Sequence, residues 1–194
     1  MSDTLDDLLT EIRACRVCEK ALGFTPRPLV AARRSARLLI IGQAPSSRGQ
    51  SGGVVWEDDS GDRLRGWLAL ERDVFHDADL IAHMPTGFCY PGRASGGDKP
   101  PRPECAPRWH NRMLAELPDL RLTLLIGRHA QRRYLPDHAG DTLVDTMRQW
   151  RAMPPGLFPL PHPAWRSRMF MAKHPWFEAE VLPDLRRRIA EALA

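Results

Sequence analysis

Leu38-Leu39-Ile40-Ile41-Gly42-Gln43-Ala44-Pro45-Ser46-Ser47 decides the fold: an apolar run cut off by a glycine, a polar side chain, Ala-Pro and two serines. Four consecutive aliphatic residues without alternation read as a strand buried on both faces, as in a parallel sheet. Gly42 permits a tight turn and lets a ligand come close to the backbone. Pro45 holds Ala44 extended and prevents an immediate helix. The stretch therefore predicts Gly42, Gln43, Ala44, Pro45 and Ser46 at the carboxyl end of a strand, where open α/β sheets bind ligands. An ordinary strand-to-loop turn has the same composition, so the rest of the chain must decide between the two.

Upstream, Leu5, Leu8, Leu9 and Ile12 recur at helical spacing and predict a helix over 3–14, capped by Asp3 or Thr4. Downstream, the polar, glycine-rich segment 46–53 reads as a mobile loop or as one that wraps a ligand. A helix is predicted over 62–71 with Ser60 as its cap, and further helices over 108–117, 128–134 and 141–151. Strands are predicted within 79–84 and at 122–126, and 157–163 is a fourth short apolar segment that ends in a histidine between prolines. The span 85–107 holds six prolines and is read as turns. The tail, 176–193, reads as helix with a break or a fresh start at Pro183. Strands alternate with helices throughout, which predicts an α/β sandwich on a short parallel sheet, in a single domain spanning 1–194.

The 194 residues include 43% hydrophobic and 27% charged side chains, values of a globular chain with enough length for a sizeable core. No apolar run approaches the ~20 residues of a membrane span, and the acidic, amphipathic N-terminus is unlike a secretory signal. A cytoplasmic, monomeric protein without membrane association is expected. The net charge of +4 is carried almost wholly by arginine, with lysine only at 20, 99 and 173. Arginine forks suit phosphate, so an anionic partner gains mild support.

The cysteines fall as C-x2-C, 70 residues, C, 15 residues, C: Cys15, Cys18, Cys89 and Cys105. Each is predicted in a loop or at an element end, where side chains converge. Four thiolates match an iron–sulfur cluster or a tetrahedral zinc site. Four unrelated buried thiols are the plain alternative. His162, held between two prolines at the end of the last predicted strand, faces the same sheet edge as Gln43 and so defines a candidate crevice. Trp56 is either a core anchor or a stacking platform; Glu57, Asp58 and Asp59 read as a solvated turn and helix cap. Arg166 and Arg168, interleaved with aromatic residues, read either as a phosphate grip or as the outer face of an amphipathic element.

Taken together, Gly42-Gln43-Ala44-Pro45-Ser46, Val55-Trp56-Glu57-Asp58, His162-Pro163 and the four ordered cysteines resemble the uracil-DNA glycosylase superfamily, most closely its iron–sulfur, family 4-like branch. The resemblance covers about residues 10–190. It implies a three-layer α/β/α fold with a four-stranded parallel sheet. It also implies a 4Fe-4S cluster on Cys15, Cys18, Cys89 and Cys105, with zinc as the alternative. The implied partner is DNA containing a damaged or deaminated base, hydrolysed at its N-glycosidic bond after flipping. In that picture Gln43 and His162 are catalytic and Trp56 stacks on the base. Gly42, Ala44, Pro45 and Ser46 line its pocket, and Arg166 and Arg168 hold phosphates. The chain departs from the branch in three places, one of them the stretch Ala164-Trp165-Arg166-Ser167-Arg168-Met169 after His162-Pro163, which differs from the common small-residue continuation. Gln43 stands where the branch has an acid, so that position supplies no carboxylate. The uracil-reading asparagine expected near residue 85 is absent, leaving His83 and Thr86 as its candidate substitutes.

Overall fold

The computed structural model describes residues 4–137, 142–164 and 167–194. In chain order the elements are α1 (Leu5–Arg13), α2 (Glu19–Leu22), β1 (Leu38–Ile41), α3 (Ser47–Gly52), α4 (Asp59–Leu68), α5 (Arg72–His76) and β2 (Ile81–His83). A small hairpin follows, β3 (Arg93–Ala94) and β4 (Gly97–Asp98). After it come α6 (Cys105–Ala115), β5 (Leu122–Ile126), α7 (Gly127–Tyr134), α8 (Leu143–Arg148), β6 (Leu157–Leu160), α9 (Ser167–Lys173) and α10 (Leu182–Leu193).

Four strands form one parallel sheet in the order β2-β1-β5-β6. Every residue of β1 is buried. Leu38 and Ile40 join a core with α4, α8 and α10, while Leu39 and Ile41 join a second core with α1, α6 and α7. This two-sided burial is what the unalternating aliphatic run requires, and it gives the three-layer α/β/α arrangement. Pro159 sits in β6, an edge strand, where a missing N–H breaks no inner ladder. Between β1 and β2 the chain moves one way along the sheet; between β2 and β5 it returns past β1. The strand order therefore reverses beside β1, and the carboxyl ends of β1 and β5 diverge into a crevice, the place where such sheets bind ligands.

Local chemistry sets the element ends. Thr4 caps α1 in a reciprocal box with Asp7. Arg37 and Arg121 donate to the carbonyls of Leu193 and Ala192, satisfying the C-terminus of α10. Segment 46–53, read from sequence as a loop, contains the short helix α3, because Ser46 caps Gly49 N–H and Gly53 ends the turn at a φ of 79°. Helix α4 starts earlier than expected: Asp58, not Ser60, is its cap, its Oδ1 accepting from the N–H groups of Ser60 and Gly61. Pro183 lies in the first turn of α10, where a missing N–H costs nothing. No helix among the described residues is long and apolar enough to cross a membrane.

Two histidines are built into this core. His83 Nε2 lies 2.7 Å from the Phe75 carbonyl; His110 Nε2 faces Pro85 O at 3.2 Å and its Nδ1 faces the Tyr134 hydroxyl at 2.5 Å. Burial pushes both imidazoles from 6.5 down to about 4. The unfolded chain takes up these protons below about pH 6.5 and the folded chain only near pH 4, so the stability they confer is complete above 6.5 and lost as pH falls through 4. The thermal midpoint, followed by circular dichroism, should therefore decline steadily from pH 6.5 to 4; a flat profile across that window would contradict the buried neutral pair.

Candidate active site

At the crevice a cavity of about 510 Å³ is lined by Gly42 to Ser46, Val55, Trp56, Asp58, Pro85, the β3–β4 hairpin and His162. The backbone past β1 is tied to the loop past β2. Gly42 O accepts from both the N–H and the hydroxyl of Thr86, each at 2.8 Å, and Gln43 O accepts from Gly87 N–H at 2.9 Å. These bonds fix Gln43 at the cavity wall. Its amide Nε2 donates to Lys99 O at 3.1 Å and so holds down the hairpin that roofs the cavity.

Trp56 has a φ of 58°, in the left-handed region that side chains rarely adopt, at a cost on the order of 1–3 kcal/mol. Two glycines make this possible. A Cβ on Gly42 would lie 2.7 Å from the indole Cζ2, and a Cβ on Gly61 would lie 1.8 Å from the Trp56 carbonyl oxygen. The indole is thus laid against the bare end of β1, packed on the core behind it and bordering the cavity in front. Its ring centre stands 6.0 Å from that of His162, with the planes inclined at 35°.

His162 follows β6 in Pro161-His162-Pro163. Its carbonyl accepts from Ala164 N–H at 2.8 Å, and the Pro163 carbonyl accepts from Arg63 of α4 at 2.5 Å. Both bonds fix the turn and hence the ring. Burial lowers the His162 pKa, against the opposing pull of Asp58 and Asp98, so the ring is neutral at pH 7. Asp58 is the more instructive of the two acids. Its Oδ1 is spent on the α4 cap while Oδ2 has no protein partner among the described residues, and the side chain borders the cavity. A neutral histidine, an aromatic wall and a fixed carboxylate therefore meet in one water-accessible cleft.

Residues 30–186 match the family model of the Uracil DNA glycosylase superfamily. The chain belongs to that superfamily. Its members are DNA glycosylases, hydrolases of DNA repair, and the cleft occupies the switch point of the matched region. Within it the structure brings together Gly42, Gln43, Ala44, Pro45, Ser46, Trp56 and His162. It does not bring in the two candidates for reading the base. The Thr86 hydroxyl is spent on Gly42 O, and fully buried His83 lines a different cavity. Arg168 is exposed on α9, and Arg166 lies outside the described residues. Asp58, Arg93 and Asp98 border the cleft without having been read from sequence as site residues. For Asp58 a signal was present: an acid two residues after the tryptophan and two before Ser60-Gly61 both caps a helix and faces the cleft.

Cys15, Cys18, Cys89 and Cys105 all line a single small cavity, closed over by Pro26, Pro28, Phe88 and Trp109. Burial, reinforced by the neighbouring thiols, pushes Cys89 and Cys105 up to about 12. Four thiolates can share this place only with positive charge among them, which is what a metal centre supplies. The Phe88 N–H already donates to Cys105 Sγ at 3.3 Å, as amides do to metal-bound sulfur. The donor set thus fits a thiolate-bound metal group. Among the described residues no three His, Cys, Asp or Glu side chains close into a cage for one ion.

The Trp56 seat is directly testable. Gly42→Ala should cost about 1–3 kcal/mol in urea denaturation by pushing the indole off β1. Gly61→Ala should cost more, because its neighbour is a backbone carbonyl that cannot swing aside. Equal stability of both variants with wild type would refute the close packing.

Proposed function

We propose that this protein removes uracil or a related deaminated base from DNA by hydrolysing the N-glycosidic bond. The observation that carries the reading is the indole of Trp56 set 6.0 Å from the ring of a neutral, half-buried His162, with Asp58 lining the same cavity. Extruding a nucleotide costs a few kcal/mol, and stacking its base on an aromatic ring returns about 1–3 kcal/mol of that. As the bond from C1′ to the base nitrogen breaks, its electron pair passes to the base and negative charge gathers on a carbonyl oxygen. His162, neutral and fixed by its turn, donates an N–H to that oxygen; preorganised stabilisation of this kind is commonly the largest catalytic contribution. Asp58 Oδ2 accepts from the attacking water and faces the positive charge developing on the sugar. The water delivers hydroxide to C1′ and its proton ends on the base. Gln43, whose Nε2 is held by Lys99 O, keeps its amide oxygen as an acceptor for a base N–H. Arg166 and Arg168 are proposed phosphate contacts.

The four cysteines are proposed to hold a 4Fe-4S cluster; zinc is the alternative. What supports a shared group is that all four cysteines line one cavity, a donor set that suits either a cluster or a zinc ion. The cluster would supply structural bracing. Cys89 and Cys105 flank the segment that carries Arg93, Asp98 and Lys99 over the cleft, so anchoring them anchors the roof. A second reading, a glycosylase-fold DNA binder that does not excise, draws on Thr86 and His83 being committed elsewhere.

Release of free base from single-stranded and duplex oligonucleotides carrying uracil, hypoxanthine or xanthine tests the proposal. Wild type should release at least one of them. His162→Ala and Asp58→Asn should each lower the rate about 10²–10⁴-fold. The asparagine side chain retains a capping oxygen, so the Asp58→Asn variant should fold normally. No release from any substrate, with DNA binding intact, would transfer the reading to the silent binder. For the metal centre, Cys89→Ser should abolish iron and sulfide in the purified protein and reduce base release while far-ultraviolet circular dichroism keeps the sheet signal. Zinc recovered without iron would replace the cluster.

A further inference from the structure

The β3–β4 hairpin that roofs the cleft carries an unspent guanidinium. Its two strands run antiparallel with Arg93 opposite Asp98, and residues directly opposite in such a ladder share one face. Both line the cleft, and both are exposed. Opposite charges so placed would ordinarily pair. Instead Asp98 Oδ1 accepts from the Tyr90 hydroxyl at 3.3 Å, and Arg93 has no hydrogen bond or ion pair among the described residues.

Arginines of α3 and α4 beside the cleft are committed. Arg63 holds the Pro163 carbonyl, Arg65 pairs with Asp62, and Arg48 pairs with Asp59 at 3.1 Å. Among the described residues that line the cleft, the charged ones are Asp58, Asp98 and Arg93. A polyanion entering there meets two carboxylates and a single lining cation to offset them. A pair with Asp98 on so exposed a hairpin is worth little, whereas a phosphate offers the guanidinium two parallel charge-assisted bonds. The backbone beneath is already tied down: Gln43 Nε2 donates to Lys99 O at 3.1 Å, Lys99 N–H to Gly92 O at 2.8 Å, and Tyr90 N–H to the Gln50 side chain at 3.2 Å. The strand bearing Arg93 therefore needs little ordering when a ligand arrives.

We propose that Arg93 is a further binding residue of the cleft, clamping the phosphate of the extruded nucleotide at the mouth while the base lies on Trp56. The identity of the anion rests on the DNA-glycosylase reading. Lys99 provides an internal control. It belongs to the same roof segment but does not line the cleft, and its Nζ lies 3.9 Å from where a Cβ on Gly92 would stand.

Fluorescence anisotropy tests the clamp without requiring excision. The probes are single strands carrying 2′-fluoro-2′-deoxyuridine or 2′-fluoro-2′-deoxyinosine, and an all-thymine strand, each titrated across a range of salt. Arg93→Gln should weaken the analogue strand that wild type prefers about tenfold, and should lower its log–log salt slope by about 0.7, one phosphate contact on a single strand. The all-thymine strand should weaken less than threefold, as should the analogue strand with Lys99→Gln. Arg93→Lys should restore the slope but only part of the affinity, because an ammonium lacks the planar fork. Since Arg93 bonds to nothing in the fold, all three variants should melt with wild type by circular dichroism. A wild-type preference that Arg93→Gln leaves unchanged, an equal loss on the all-thymine strand, or an equal loss with Lys99→Gln would overturn the clamp alone. No wild-type preference for either analogue would withdraw the base-extrusion reading and the clamp with it.

Discussion

The contact on which the site depends is the indole of Trp56 against the bare backbone of Gly42. Without a Cβ at Gly42 the ring comes within van der Waals reach of the end of β1; without one at Gly61 the Trp56 carbonyl fits under the first turn of α4. Together these gaps hold a tryptophan at a positive φ, a conformation that strains any residue other than glycine. Core packing behind the ring offsets that cost. The result is an aromatic wall pinned to β1, beside the reversal in the order of the parallel sheet.

The remaining parts of the cleft are tied to this wall from separate directions. Asp58 is fixed because it caps the helix whose Gly61 accommodates Trp56. His162 is fixed because Arg63, from that same helix, grips the carbonyl of the next residue. The roof is fixed because Gln43, next to Gly42, bonds to Lys99. One helix start and one strand end therefore organise wall, carboxylate, histidine and hairpin, and a disturbance at Gly42 or Gly61 should be felt by all of them. The cysteine cavity lies at the two ends of the segment that bears the hairpin, so the metal group proposed there would be a second brace of the roof.

Much of this was legible in the residues. The unalternating run 38–41 announced a two-sided parallel strand, and Pro-His-Pro announced a rigid ring at the same sheet edge. Side-chain assignments that depend on tertiary partners were not legible. His83 and Thr86 stand at the right place in the chain to read a base, yet backbone carbonyls of Phe75 and Gly42 claim their hydrogens. Asp58 read as a plain cap because sequence shows the capping oxygen and not the direction of the other. Helix α3 was hidden because glycine and serine composition reads as loop, whereas Ser46 and Gly53 close both of its ends.

The most direct measurement is a crystal structure of the protein with an oligonucleotide carrying 2′-fluoro-2′-deoxyuridine, whose glycosidic bond resists hydrolysis. The account predicts the uracil extruded onto the Trp56 indole, with a carbonyl oxygen in hydrogen-bond reach of His162 and a water on Asp58. Uracil left stacked in the DNA, or seated away from Trp56 and His162, would contradict it.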